Sequence, residues 1–174
     1  MTKNTFSPFP ILKTSRLTLR QLLRGDENEL YELRSNADVN KYLDREPAKS
    51  IEDARDFIRK ITEGIKQNES MYWAITFNND HKLIGTICYF NFTIENGKAE
   101  VGYELLPYFQ GKGIMHEALC KVIEFGVQNM GIHQIEAYIH QENKNSIKLL
   151  EKHNFEEQKD CDNGLSKNFI KIIG

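Results

Sequence analysis

The sequence predicts an α+β fold of the mixed α/β type, with one mostly antiparallel central sheet and helices on both of its faces. Three observations lead to this fold class. Segments of strand-like and helix-like periodicity follow one another in the order β-α-α-β-β-β-α-β-α-β. Three of the strands are separated only by short polar turns, which favours antiparallel pairing. The length of 174 residues suits one sizeable core, so we expect a loose arm at residues 1–10 and a single domain at 11–174.

A strand and two helices come first. The strand begins with the alternating residues Leu17, Leu19 and Gln21. Asp26 and Glu29 resemble a capping box, which predicts a helix over about 26–36. Ser50 and Asp53 repeat this start signal. The second helix is indicated by apolar residues at helical spacing, namely Ala54, Phe57, Ile58, Ile61 and Ile65.

An antiparallel meander is predicted next. Residues 71–77 and 82–92 flank the polar turn Asn78-Asn79-Asp80, and residues 98–106 pair back across Asn96-Gly97. Asparagine and glycine tolerate the left-handed backbone of tight turns. The aromatic residues of these strands are predicted to be core, and they are Trp73, Tyr89, Phe90 and Phe92.

The last third of the chain alternates between helix and strand. The apolar stripe over 113–129 predicts a helix packed on the sheet, and 135–139 predicts the next strand. Start signals for a further helix come from Asn143, Asn145 and Ser146. Asn154 can end that helix in the left-handed conformation, and the chain returns to strand from Phe155.

Composition and charge exclude several classes of function. The net charge of −2 and the pI near 6.2 create no field that would favour nucleic acid or an anionic membrane. No apolar run approaches the roughly 20 residues of a membrane span, and the sequence has no signal-peptide pattern. Cys88, Cys120 and Cys161 are too few and too irregularly spaced for a disulfide framework or a zinc cluster. We therefore expect a cytoplasmic protein without nucleic-acid or membrane partners.

The most informative segment is the loop within residues 108–119, which joins the last meander strand to the next helix. Gly111 and Gly113 let the backbone approach a ligand, and the first helical turn presents unpaired N–H groups at the positive end of its dipole. A diphosphate is the kind of anion that such a loop binds. With His116 and the distant Glu136, the loop also imitates a dinucleotide fingerprint. That interpretation fails because a histidine replaces the third glycine and because the preceding strand is expected to belong to the meander rather than to a βαβ unit.

The loop resembles the signature Q/R-x-x-G-x-G/A of the GNAT superfamily of acetyl-CoA-dependent N-acetyltransferases. Gln110-Gly111-Lys112-Gly113-Ile114-Met115 matches all positions but the last, where Met115 replaces Gly or Ala. The likeness extends to the branch typified by bacterial ribosomal-protein N-terminal acetyltransferases (RimJ/RimL-like). Four segments match that branch in order, and they are 12–20, 83–85, 99–103 and 143–155. Asn154 stands where that branch usually has glycine.

The resemblance implies acetyl-CoA as the acyl donor, no metal, and a twisted sheet that splays between the fourth and fifth predicted strands, 98–106 and 135–139. The pantetheine arm would pair with Leu105 and Leu106 opposite residues 138–140. The implied cofactor-binding residues are Leu105, Leu106, Gln110, Gly111, Lys112, Gly113, Ile114, Met115, Asn143 and Ser146. Lys112, Lys144 and Lys148 are candidate cations for its phosphates, and solvated surface lysines are the plain alternative for each.

The resemblance also implies direct attack of a neutral amine on the thioester, so two protons must be managed. Glu100 and Glu104 share one face of the fourth strand, and either is a candidate base acting through water. Solvent exposure or pairing with lysine is the alternative for both. Ser146 is the candidate hydrogen-bond donor to the departing thiolate, and a helix cap without chemistry is its alternative.

His116 and Cys120 lie one helical turn apart, but no third group or oxyanion motif accompanies them. We therefore expect a helix-surface pair rather than a nucleophile and its base. The five histidines have no ligand-type spacing, which predicts no metal site.

The leading hypothesis from the sequence is transfer of acetyl from acetyl-CoA to a primary amine, with a protein N-terminus as the first acceptor to test. Polyamines, antibiotics or other small amines are alternatives. A non-catalytic acyl-CoA-binding module is a hypothesis from another class. It arises because the segment 169–174 leaves less chain than the usual final hairpin of the family, so the acceptor site would be incomplete or shared in a homodimer. Segments 36–49 and 91–98 are expected to border the acceptor entrance.

Overall fold

The computed structural model describes residues 7–158 and 164–174. The helices are α1 (Glu27–Ser35), α2 (Ala37–Asn40), α3 (Ile51–Lys66), α4 (Ile114–Met130) and α5 (Lys144–Lys152). The strands are β1 (Leu12–Lys13), β2 (Leu17–Gln21), β3 (Met71–Phe77), β4 (Asp80–Thr93), β5 (Lys98–Leu105), β6 (Gln134–His140), β7 (Glu156–Gln158) and β8 (Ser166–Ile172). None of the described helices is both long enough and apolar enough to cross a membrane.

The strands form one sheet in the order β1-β2-β3-β4-β5-β6-β8-β7. Neighbouring strands are antiparallel except β5 and β6, which run parallel and are joined by α4. β5 therefore ends the meander and also opens a βαβ unit, so the expectation that it belongs to the meander alone was wrong. The meander uses only one edge of β5, the edge paired with β4, and β6 pairs with the other edge. Glu136 lies opposite Glu100 at the start of β6 and does not line the cleft at the glycine loop, so the dinucleotide interpretation still fails.

The predicted splay is confirmed between β5 and β6. These strands pair at only three registered positions, ending with Glu100 opposite Glu136. β5 continues along β4 as far as Leu105, whereas β6 continues along β8 until His140 lies opposite Ser166. Both strands keep one bonded neighbour while they separate, and a cleft opens between them.

Each face of the sheet buries its own core. α4 and α5 cover one face with side chains such as Leu119, Val122 and Leu150. α1 and α3 cover the other face with side chains such as Leu30, Leu33 and Ile58. The predicted core aromatics Trp73 and Tyr89 are fully buried and Phe90 is partly buried, whereas the side chain of Phe92 lies outside the described part of the structure.

Local polar signals mark the start of α3 and the end of α5 as predicted. Ser50 and Asp53 form the capping box of α3. Asn154 adopts a left-handed φ of 60° just after α5. Asp26 occupies the N-cap position of α1, but its side chain makes no capping hydrogen bond there, so the predicted capping box with Glu29 does not form. The Asp26 carboxylate pairs with Arg20 at 2.7 Å and accepts the N–H of Leu23, because a buried carboxylate needs a counter-ion more than a helix needs a cap.

Sequence periodicity missed β1, α2 and β8. The most important of these is β8, because it lies between β6 and β7 and pairs with both. β7 and β8 form a final antiparallel hairpin in which Glu156 lies opposite Ile170.

The described end of the predicted N-terminal arm is held on the core. Phe9 packs on Trp73 with ring centroids 5.7 Å apart, and the indole N–H of Trp73 donates to the carbonyl of Pro10 at 3.0 Å. Residues 1–6 of that arm lie outside the described residues.

Candidate active site

A cleft of about 420 Å³ opens where β5 and β6 separate. Its walls come from the end of β5, the glycine loop with the first turn of α4, the start of α5, and the segment around α2. The predicted residues that line it are Glu104, Leu105, Gln110, Gly111, Gly113, Ile114, Met115, Asn143, Ser146 and Lys148. The predicted residues that do not line it are Glu100, Leu106, Lys112 and Lys144. The fold thus gathers most of the predicted site.

Main-chain N–H groups dominate one end of the cleft. The six consecutive groups from Gly111 to His116 donate to no acceptor within the described part of the chain. Gly111 and Gly113 have φ of +72° and +73°, a left-handed geometry that strains other residues. A Cβ on Gly111 would meet no protein atom within 4 Å and would occupy the space above the loop. These unpaired dipoles at a helix N-terminus fit a diphosphate.

Met115, the departure from the family signature, does not narrow this loop. Its side chain is 8% exposed and belongs to the core between the sheet and α4. The residue therefore contributes its N–H group to the cleft, while its larger side chain is accommodated mainly by the core.

Arg16 and Glu117 brace the glycine loop, and neither was identified from the sequence. Glu117 accepts the backbone N–H of Arg16 at 2.9 Å, its Nε–H at 2.6 Å, and the hydroxyls of Thr14 and Ser15. Arg16 also donates through Nη1 to the carbonyl of Lys112 at 3.0 Å. Burial alone would raise the pKa of Glu117, but the hydrogen bonds from Thr14, Arg16 and Ser15 lower it to about 2. The carboxylate therefore stays ionised at neutral pH and anchors the loop.

Gln110 ties the other end of the loop to the sheet. Its Nε2 donates to the carbonyl of Leu105 at 2.9 Å, at the last residue of β5. Gln110 therefore orients the loop through a defined hydrogen bond.

The three candidate cations have different surroundings. Lys148 lines the cleft. The ammonium of Lys112 lies 3.9 Å from the centroid of the Tyr108 ring, and that of Lys144 donates to the carbonyl of Gln141 at 3.0 Å. In this structure Lys148 is therefore the candidate placed to meet a ligand phosphate with its side chain.

Two hydroxyl groups, those of Ser146 and Tyr103, lie near each other in the cleft. Asn143 caps α5 by accepting the Ser146 N–H at 3.2 Å, so the helix cap is Asn143 and the Ser146 hydroxyl is not used for capping. The Tyr103 hydroxyl is buried, and Ser146 is the one hydrogen-bonding neighbour that the described part of the chain offers it. Burial raises the pKa of Tyr103 to about 12, against a lowering by Ser146. Both groups are therefore protonated at neutral pH.

The two predicted bases are not brought together. Glu104 lines the cleft, but Arg45 forms a bidentate ion pair with it, with the second contact at 3.1 Å. Glu100 lies where β5 and β6 still pair, and its carboxylate accepts from Asn91 at 2.9 Å. Burial raises the pKa of Glu100. The two glutamates share a strand face, but the cleft begins only beyond Glu100.

The segment 36–49 borders the cleft as expected. Its contributions were not identified individually from the sequence, and they are Asp38, Val39, Tyr42 and Leu43. The segment 91–98 supplies none of the described lining residues. It lies at the opposite end of β5, where the N–H of His133 donates to the carbonyl of Gly97 at 2.8 Å.

A second groove of about 480 Å³ adjoins the cleft at Asp38, which lines both. Three further carboxylates line this outer groove, those of Glu29, Glu32 and Asp80, against the single ammonium of Lys82. The outer groove therefore favours a positively charged guest.

His116 and Cys120 are not a simple helix-surface pair. His153, which follows α5, has Nε2 2.8 Å from His116 Nδ1 and Nδ1 3.9 Å from Cys120 Sγ. Burial lowers the pKa of His153 to about 4, and nearby positive charges act in the same direction. Cys120 and Cys88 are free thiols, while Cys161 lies outside the described residues.

Comparisons with known proteins give consistent matches of family and fold. Residues 16–156 match the family model described as Acetyltransferase (GNAT) domain. The chain is 35% identical over 164 residues to p20, an uncharacterized N-acetyltransferase of Bacillus licheniformis, covering 94% of this chain and 89% of that one. It is 30% identical over 115 residues to the ribosomal protein uS5-alanine N-acetyltransferase of Escherichia coli, covering 66% of this chain and 57% of that one. A solved structure of RimL, a ribosomal L7/L12 alpha-N-protein acetyltransferase in complex with coenzyme A, has the same fold, with a TM-score of 0.83 and 21% identity over 94% of this chain and 98% of that one.

Proposed function

Because the chain belongs to the GNAT family of acetyltransferases, we propose that its acceptor is the α-amino group of a protein or peptide N-terminus. The reaction is transfer of acetyl from acetyl-CoA to an amine, and the chain is an enzyme rather than a non-catalytic acyl-CoA-binding module. The observation that carries the acceptor proposal is the acidic groove that shares the lining residue Asp38 with the cleft. An extended chain with basic residues fits that shape and charge.

The main chain of the glycine loop holds the donor in this proposal. The unpaired N–H groups from Gly111 to His116 bind the diphosphate, and Lys148 supplies a positive charge near it. Leu105 lies at the end of the separated strand, where the pantetheine arm runs towards the middle of the cleft. Arg16 and Glu117 hold the loop in the geometry that binding needs.

Ser146 and Tyr103 manage the leaving group. Ser146 lines the cleft, so its hydroxyl can donate a hydrogen bond to the sulfur as negative charge develops on it. We assign to Tyr103 a supporting hydrogen bond with Ser146, because its buried hydroxyl is protonated and has no other partner in the described structure.

The acceptor must lose a proton, and the type of amine decides how much help it needs. At pH 7.5 about one quarter of α-amines with a pKa near 8 are neutral, against about one in 800 lysine amines with a pKa near 10.4. Glu104 lines the cleft, is paired with Arg45, and is the group we assign to receive the proton through water. An α-amine needs less help from this group than a lysine side chain does, because more of it is already neutral.

Two peptides of one sequence test the acceptor. Both carry lysine and arginine beyond the third position, and one has a blocked N-terminus. We expect at least tenfold higher kcat/KM in a thiol-release assay for the free peptide, with mass spectrometry placing the acetyl group on its α-amine. Equal turnover of the blocked peptide at lysine would contradict the proposal.

The outer groove can be tested by Glu32→Gln. Losing one carboxylate should raise the KM for a basic peptide by about three- to tenfold, in line with about 0.7–1.4 kcal/mol, and leave kcat unchanged. Glu63→Gln is the matched control, because Glu63 lies on α3 and is bonded to Lys66 and Gln67 outside both grooves.

A small polyamine is the second candidate acceptor. The specific observation in its favour is the same set of carboxylates, Glu29, Glu32, Asp38 and Asp80, which could bind several ammonium groups. Within the cleft, however, Arg45 neutralises Glu104, so only Asp38 offers an uncompensated carboxylate among the described residues. A higher kcat/KM for spermidine than for the free peptide would select this candidate.

A further inference from the structure

His116, Cys120 and His153 form a cluster of metal-ligating side chains beside the cofactor cleft, which His116 also lines. One ligand atom from each residue lies within 4.8 Å of the other two. α4 supplies His116 and Cys120 one turn apart, and His153 follows the last residue of α5. We propose that this cluster binds a divalent transition metal, Zn²⁺ above all, which clamps α4 to the end of α5.

The ligand atoms of the cluster are close enough to meet one zinc ion after side-chain movement. Around a tetrahedral zinc with bonds of about 2.05 Å to nitrogen and 2.3 Å to sulfur, two nitrogens lie about 3.3 Å apart and sulfur lies about 3.6 Å from nitrogen. In the structure one ligand atom from each residue lies within 4.8 Å of the other two, and His116 Nδ1 is 2.8 Å from His153 Nε2. Cys120 Sγ is 3.9 Å from His153 Nδ1, the ring nitrogen that does not face His116. The two facing nitrogens must therefore move apart by about half an ångström, and the side chain of Cys120 must turn towards the side of the His153 ring that faces His116. Cys120 is exposed, so its rotation meets little resistance.

The donor set also suits this class of metal. Two imidazoles and a thiolate are ligands that zinc and its neighbours prefer over the oxygen ligands of magnesium or calcium. Binding requires lone pairs on the facing nitrogens, so their hydrogens must reside on the other ring nitrogens, and the thiol proton passes to solvent. Lys152 and Lys171 are nearby positive charges that oppose a cation here, and the single negative charge of the thiolate offsets one of them. Water can complete the coordination from the exposed side of Cys120.

The metal is not a cofactor of acetyl transfer. Its ligands lie on the first turns of α4 and after α5, the two helices that flank the cleft. Metal binding would therefore stabilise the walls of the cleft without touching the reacting atoms.

The first measurement uses the full chain, free of any histidine tag and stripped of metal by a chelator. Titration with Zn²⁺ should give one ion per chain. At a zinc concentration about a hundred times Kd, the melting temperature should rise by roughly 5–10 °C. With Co²⁺ as a probe, a thiolate-to-metal charge-transfer band should appear in the absorption spectrum.

Variants then locate the ion. Cys120→Ser should abolish the charge-transfer band and weaken zinc binding at least tenfold, and its acetyl transfer without metal should match that of the original chain. His116→Ala should also weaken binding at least tenfold. His81→Ala is the control, because His81 is exposed and lies on β4 away from the cluster. Absence of zinc binding, or binding unchanged in both Cys120→Ser and His116→Ala, would overturn the proposal.

Discussion

The brace behind the glycine loop can be tested by one isosteric change, Glu117→Gln. Oε1 of Glu117 accepts the backbone N–H of Arg16 at 2.9 Å, and a glutamine carbonyl can keep that bond. Oε2 accepts Nε–H of Arg16 at 2.6 Å, and a glutamine NH₂ at that place would face another donor. The substitution therefore releases the guanidinium while it preserves the shape of the side chain.

The expected loss of stability is about 1 kcal/mol. A hydrogen bond to a charged group is worth about 1.5–3 kcal/mol when protected. The Arg16 side chain is 46% exposed, so water replaces part of that energy and the value must be reduced. Urea denaturation measures this loss directly.

The second expected effect is weaker binding of coenzyme A. Once released, the guanidinium no longer holds the Lys112 carbonyl at 3.0 Å, and the N–H groups of the loop lose their fixed direction. We expect the Kd for coenzyme A to rise about three- to tenfold, or about 0.7–1.4 kcal/mol, with kcat at saturating acetyl-CoA little changed. Calorimetry with coenzyme A and initial rates against acetyl-CoA give the two values.

Glu124→Gln is the matched control. Glu124 lies on the same helix, is 47% exposed, and forms its described ion pair with Lys121 at 2.8 Å. Its substitution should leave both stability and coenzyme A binding unchanged. If Glu117→Gln lost stability yet bound coenzyme A as tightly as Glu124→Gln does, the bracing role assigned to Arg16 and Glu117 would be refuted.

Three further predictions follow from other contacts. The stability advantage of the original chain over Glu117→Gln should be complete above pH about 4.3 and should disappear as the pH falls through about 2. The reason is that the pKa of Glu117 in the folded chain, about 2, lies below its value in the unfolded chain. Urea midpoints measured across this pH range give the difference. Gly111→Ala should cost about 1 kcal/mol because its φ is +72°, and should raise the KM for acetyl-CoA, because the new Cβ occupies the ligand space. Arg45→Leu should lower the free energy of unfolding by about 2–3 kcal/mol, because the Glu104 carboxylate, which is 13% exposed, loses its counter-ion. The double variant Arg45→Leu, Glu104→Gln should recover most of that loss in thermal melts.

Features of the site with local causes could be predicted from the sequence. The glycine loop was identified because two glycines and a helix start fall within a few residues, and the structure gives both glycines positive φ. Asn143 and Ser146 were identified for the same reason, since a helix start is a short-range signal. Such features depend on backbone preferences that neighbouring residues decide.

Features that depend on distant contacts could not be predicted. Arg16 and Glu117 are 101 residues apart, and His116 and His153 are 37 residues apart. Neither pair has a periodic signature, because periodicity reports which face of an element is buried and not which element covers it. The pairing of Glu104 with Arg45 was missed for the same reason, since Arg45 lies in an irregular segment that only the folded chain brings over β5.

The position of β8 explains how this fold keeps a cleft open inside a continuous sheet. A strand that leaves its neighbour exposes N–H and C=O groups, which is costly unless its other edge is paired. β6 pairs with β8 at seven registered positions and with β5 at only three, so it is held almost entirely from the far side. β5 is held in the same way by β4 as far as Leu105. The separated edges therefore need no contact with each other, and a ligand can lie between them as an additional strand would.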